Sequence, residues 1–249
     1  MGLFDWLKGK KASPPRRPLS LDLENERDIT SKSPPPDFIA GNLLTVFKNA
    51  YSHPIVQDQQ GIHIESLLCS LGAMAGFGCQ IAIREGLIKT GKLPLEKAFV
   101  VAKTNDGGTY YFGDQLNQPL LEAPMSVWAQ VAGAVQHVGK PVPDIHDIVR
   151  FVSSTVGGPE FGTLRVPEDH QPRETPLQSL QKQWAPAYKL VKSQTGDPLF
   201  TGWYFALAAQ KLIVEGKDVI DATMAGQIVM ESAVAMAKID PAVIGFSLD

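Results

Sequence analysis

Cysteine is scarce in this chain, and the few present are badly placed for covalent or metal chemistry. Only Cys69 and Cys79 occur among 249 residues, both inside one apolar run. In a helix their Cα atoms stand roughly 15 Å apart, beyond the ~7 Å limit for a disulfide. Their spacing matches no zinc or redox pattern. Histidine is sparse as well: His53, His63, His137, His146 and His170 contain no pair at the i, i+4 spacing of a helical metal site. No metal site and no cofactor is therefore expected. Excess charge of either sign is also missing, with Lys plus Arg at 23 against Asp plus Glu at 26. Without a positive field to collect phosphates, nucleic-acid binding is not expected.

Other absences narrow the field further. The glycine pairs Gly107-Gly108 and Gly157-Gly158 lack a following Lys-Ser or Lys-Thr and match no nucleotide-binding fingerprint. Ser126, Ser153 and Ser154 have no strand, flanking glycine and helix around them, so a nucleophile elbow is excluded. The first residues carry a short apolar stretch with lysines after it, unlike a secretory signal. Buried thiols and the lack of an export signal make cytoplasm the expected compartment.

What is present is an ordinary folding composition, 44% hydrophobic and 20% charged, preceded by a stretch of different character. Lys8, Lys10, Lys11, Arg16 and Arg17 form a basic block, and Asp22, Glu24, Glu26 and Asp28 an acidic one. Prolines 14, 15, 18, 34, 35 and 36 punctuate both. Too few large apolar residues lie here to offset ordering entropy, so residues 8–37 read as a flexible, proline-rich arm. At its tip, Leu3, Phe4, Trp6 and Leu7 could make one or two amphipathic turns. That tip resembles a docking peptide for a protein partner, or a weak anchor to a membrane surface. A globular domain is expected from Phe38 to the C-terminus.

Within it the periodicity is mostly helical. Helices are expected over Asn42–Tyr51, 63–85, Met125–Val138, the segment capped by Asp144, Leu199–Glu215 and Val219–Lys238. Thr175-Pro176 starts another, which Pro186 should break or kink. Phe99–Lys103 and Thr109–Phe112, joined by Asn105-Asp106-Gly107-Gly108, read as a β-hairpin. Asp114–Glu122 reads as turn and extended chain. The run 63–85 is the most apolar and should be the buried central helix. It is short for a membrane span and contains Ser70 and Gln80. Gly72 and Gly76 leave one side bare enough to receive the small face of the last long helix, Ala222, Ala225, Gly226, Val229, Ala233 and Met236. The fold class is thus mainly α (α+β): a multi-helix globular domain around a buried central helix, with one hairpin and a flexible N-terminal arm.

Two places concentrate titratable groups. His63 and Glu65 stand at the mouth of the central helix, where a carboxylate meets the positive end of the helix dipole. The irregular stretch 159–176 holds Arg165, Glu168, Asp169, His170, Arg173 and Glu174, and long ordered loops often carry function. Glu231, projected beside Gln227 and Lys238, is expected on the exposed side of its helix.

Three functions are compatible with this pattern. One is a non-catalytic binding or adaptor protein that uses Leu3, Phe4, Trp6 and Leu7. The second is an enzyme or small-ligand-binding protein whose cleft gathers His63, Glu65, Arg165 and His170, with no catalytic residue otherwise indicated. The third is a homo-oligomeric structural protein.

Overall fold

The computed structural model describes residues 34–51, 62–105 and 107–247. The tip Leu3, Phe4, Trp6 and Leu7 and the arm up to Ser33 lie outside the described residues. The compact unit begins at Pro34. It is mainly helical with a two-stranded antiparallel hairpin.

Helix α1, Pro36–Tyr51, starts six residues ahead of the expected Asn42. Proline is tolerated in a first turn, where its missing N–H would have no partner. Ile39 and Ala40 prolong the apolar stripe of Leu43, Leu44 and Phe47 back to that start. Helix α2, Ile64–Ile83, is buried from Glu65 to its last residue and runs on through a π-helical turn, Arg84–Ile88. It alone among the described helices is long and apolar enough to cross a membrane, and its apolar window is wholly buried inside the protein. Its side chains are the core.

Three helices pack on α2: α7 (Pro176–Gln194), α8 (Thr201–Glu215) and α9 (Ala222–Met236). The expected small-face contact between α2 and α9 is present and very close. A Cβ built on Gly72 would lie 2.4 Å from the Val229 carbonyl oxygen, and one on Gly76 only 1.9 Å from that of Ala233. On another side of α2, a Cβ on Gly78 would meet the Cα of Gly202 in α8 at 2.9 Å. Backbone therefore rests on backbone at both contacts, which a larger side chain would prevent. An aromatic cluster fills the space toward α7, with Trp184 edge-on to Phe77 at 4.6 Å and to Phe246 at 5.7 Å.

Short helices α3 (Leu95–Ala98) and α4 (Asp114–Asn117) flank the hairpin, β1 (Val100–Lys103) and β2 (Thr109–Phe112). Val101 pairs with Tyr111 and Lys103 with Thr109. The far side of β2 is held by Tyr111 N–H, which donates to the Lys238 carbonyl at 2.8 Å. Gln80 ties the same region to the core by donating to the carbonyls of Ala237 and Ile239, both at 2.9 Å. Asp114–Glu122 is not extended, contrary to expectation. Helix α4 leads into a π-helical turn, Gln118–Glu122, with Pro119 in its first turn and Leu116 and Leu120 buried four residues apart. Proline in a first helical turn costs no hydrogen bond, so Pro119 is compatible with helix here.

Helices α5 (Val127–His137) and α6 (Ile145–Ser154) start at Ser126 and Asp144, whose side chains accept from the backbone of the first turn. Helix α7 opens with the reciprocal Thr175–Gln178 capping box and continues unbroken through Pro186. That proline sits on the exposed face, opposite Trp184, Ala187 and Val191, so solvent can take up the carbonyl it leaves unpaired.

The close contacts set a testable order of tolerance. Gly76→Ala should destabilise by about 3 kcal/mol or more, because the new methyl has only backbone to displace. Gly133→Ala, in α5 with nothing within 4 Å of its Cβ position, should stabilise by roughly 0.5–1 kcal/mol through helix propensity. Chemical denaturation of the two variants measures both; equal and small effects would contradict the packing described.

Candidate functional site

The first cluster is built at the mouth of α2. His63 is its N-cap, with Nδ1 positioned 3.4 Å from the Ser66 N–H. The same nitrogen lies 3.0 Å from Ser66 Oγ and 3.4 Å from Glu65 Oε2. The stretch 158–175 crosses over this end. It carries a 3-10 turn, Glu168–His170, that sets His170 Nδ1 2.8 Å from Glu65 Oε1. Arg173 N–H then donates to Ser66 Oγ at 2.9 Å. One buried carboxylate thus holds two imidazoles, and one buried serine links the crossing segment to the helix.

This geometry limits the chemistry available. A serine relay needs the two nitrogens of one imidazole to face the hydroxyl and the acid respectively. Here His63 Nδ1 alone faces both Ser66 and Glu65. Ser66 is also buried and already accepts from Arg173. His170 is the better placed group: Glu65 orients its Nδ1, and its side chain keeps 29% exposure.

Behind the mouth lie polar groups that sequence reasoning passed over. Cys69 Sγ donates to the Glu174 carbonyl at 3.7 Å, and Tyr51 Oη and Ser179 Oγ share a bond at 3.3 Å. Lys182 bridges to the Glu174 carboxylate. Ser70 Oγ and Glu174 Oε2 are buried without a hydrogen-bond partner among the described residues. Burial pushes the Cys69 and Cys79 thiols up to about 12. Both are protonated at neutral pH and unfit as nucleophiles. Burial also raises Tyr51, against the pull of its bond to Ser179. The spacing of Ser66 and Ser70, one helical turn apart in an apolar run, was the readable signal for this cluster.

Arg165 does not join His63, Glu65 and His170. Its N–H and Nε donate to the two oxygens of Glu231, each at 2.8 Å, and Nη1 reaches Asp147 at 2.7 Å. Its guanidinium also stacks over Phe151 at 4.2 Å. Gln227 completes the group by donating to Glu231 Oε1 at 3.2 Å and to the Arg165 carbonyl at 2.9 Å. Glu231, expected to be exposed, is 1% exposed. The part of that face holding Glu231 and Gln227 is covered by the crossing segment at Arg165, a long-range contact that projection around one helix does not include. Only the carboxylate of this pair is buried; Arg165 stays exposed, so solvent screens its side of the interaction.

Two clefts lie near these clusters, and neither is lined by His63, Glu65 or His170. One of about 250 Å³ is mainly apolar, between the hairpin, Phe161–Thr163 and Met236–Asp240. The other, an open groove of about 560 Å³, runs along Pro141–Asp144 past Asp147, Arg165 and Gln227. Among the described residues no group of three or more His, Cys, Asp or Glu side chains could hold a metal ion. No known protein family, curated protein or solved structure matches the chain.

Lys238 stands apart from both clusters. Its amine is buried beneath the hairpin, donates to the Val234 carbonyl at 2.9 Å and sits 5.6 Å from the Phe112 ring centre. Burial draws it down from 10.5 to about 8. The folded value lies below the unfolded one, so the unfolded chain binds more protons between those two values and stability rises with pH across that window. Lys238→Met should therefore stabilise the protein at pH 7 by roughly 2–3 kcal/mol, an advantage that shrinks as pH rises from about 8 to 10.5. Thermal denaturation at several pH values checks this. A variant less stable at pH 7 would mean that the bond to Val234 outweighs the cost of burying the charge.

Proposed function

We propose that the protein is a non-catalytic binding or adaptor protein: a rigid helical domain that presents the apolar tip Leu3, Phe4, Trp6 and Leu7, on its N-terminal arm, to a protein partner. The observation that carries this reading is that Arg165 and His170, with Glu65 and Ser66 at the mouth of α2, bond to one another or to neighbouring helices within the fold. Arg165 is committed to Glu231 and Asp147, Glu65 to two histidines, and the Arg173 backbone to Ser66. These groups fasten the segment to the helices rather than converge on a cleft. Function sites are usually concave, with a few polar groups pointing inward. The thiols, protonated by burial, add no nucleophile. A short amphipathic segment is a sufficient recognition element where a partner offers an apolar groove.

One observation favours a second reading, an enzyme or ligand-binding protein: Glu65 orients His170 as a carboxylate orients a general base. The two readings separate in one experiment. The full chain, a variant with Leu3, Phe4, Trp6 and Leu7 all changed to Ser, and a Glu65→Gln variant are used to recover partners from extracts of the source cell. Recovered proteins are quantified by mass spectrometry. At least one should fall more than tenfold with the tip variant and persist with Glu65→Gln. Identical recovery from all three would remove the tip from the account. Loss with Glu65→Gln alone would favour the second reading.

A further inference from the structure

The cleft beside the hairpin is built from apolar groups with a single charge at its edge. Met236, at the end of α9, and Ile239, just beyond it, form its floor and are buried. Two walls come from Tyr110 of β2 and Phe161 of the crossing segment, whose rings meet edge to face at 5.0 Å. Tyr110 is held there by its bridge to Ile239, and Leu177 in the first turn of α7 closes another side. Gly162 keeps the floor open. Its φ of +80° is one that residues with a side chain rarely adopt, and a Cβ there would stand 3.6 Å from the Met236 methyl.

Size and lining select an aromatic guest. A dry cavity of roughly 150 Å³ accommodates benzene, so about 250 Å³ has room for one ring with a short chain attached. Clefts for drug-sized molecules begin near ~300 Å³, which places larger ligands beyond its capacity. Methionine sulfur and aromatic ring edges both make specific contacts with an aromatic neighbour that an aliphatic one does not offer.

The charge is that of Asp240, the sole acidic or basic residue in the lining. Its Oδ1 accepts from the Ala242 N–H at 3.0 Å and so starts the closing turn Pro241–Ile244. Lys238, two positions earlier, does not answer it. That amine turns to the Val234 carbonyl and the Phe112 ring instead. A carboxylate at the edge of an apolar cleft attracts a cation more strongly than it would in open water, and the charge-assisted hydrogen bond is about twice as strong as a neutral one.

We infer that this cleft binds a small aromatic amine, its ring lodged over Met236 between Tyr110 and Phe161 and its ammonium on Asp240. The site uses none of His63, Glu65, His170 or the N-terminal tip, so it stands whatever those bind. The test follows the methyl resonances of Met236 and Ile239 by NMR in the full chain, titrated at neutral pH with 2-phenylethylamine, 2-phenylethanol and phenylacetate. A bound ring should shift both methyls saturably with the amine, while the alcohol should bind at least about tenfold more weakly and phenylacetate more weakly still. Asparagine caps about as well as aspartate, so Asp240→Asn should keep the fold and reduce the amine to the affinity of the alcohol. Absence of saturable shifts at Met236 and Ile239 with the amine would overturn the inference. Equal affinity for amine and alcohol in the natural chain, or a preference for the amine that survives Asp240→Asn, would overturn it as well.

Discussion

The contact on which this structure rests is the approach of α9 to α2, backbone against backbone, at Gly72 with Val229 and Gly76 with Ala233. With no side chain on α2 at these two points, the carbonyls of Val229 and Ala233 lie directly against α2 main chain, the kind of close approach that dense interior packing uses. Glycine inside a helix is unfavourable by about 1 kcal/mol relative to alanine. The expense is offset here by contacts that no other residue would permit. Gly78 and Gly202 repeat the device between α2 and α8. Because α2 is closed off in this way on several sides, it is buried along nearly its whole length, and the remaining helices take their positions from it.

The same arrangement decides what the polar groups can do. Burying α9 against α2 exposes its other face to the segment 158–175, which must satisfy its own backbone as it crosses. Glu231, Gln227 and Ser66 provide acceptors and donors at fixed points along that path. Arg165 binds a carboxylate in a fork that also takes its own N–H, a strong and directional clamp. Charge that looked available for catalysis is thus engaged in holding an irregular segment in place. His170, oriented by Glu65 and partly exposed, is the exception within that set.

Much of this could be read from the residues in order. The helical periods, the Thr175 and Asp144 caps, the hairpin turn at 105–108 and the pairing of small faces on 63–85 and the last long helix all depend on neighbours within a few positions or on composition. Errors arose where local signals had two meanings. Pro36 and Pro119 belong to helix starts, and Pro186 sits on an exposed face, so none ends a helix. The placement of Glu231 and Lys238 failed for another reason: projection around one helix says which residues share a face, not what later covers that face. The candidate site was legible only in part. His63, Glu65 and His170 meet, but Arg165 is drawn away by Glu231, a pairing across 66 positions that no local pattern announces.

If the α2–α9 contact is the constraint that organises the fold, the two helices must open as one unit. Native-state hydrogen exchange at low denaturant measures this directly. Amides of Leu68–Ile81 and of Ile228–Ala235 should exchange with one shared free energy, equal to that of global unfolding. Exchange of α9 amides at a distinctly lower free energy, with α2 still protected, would contradict it.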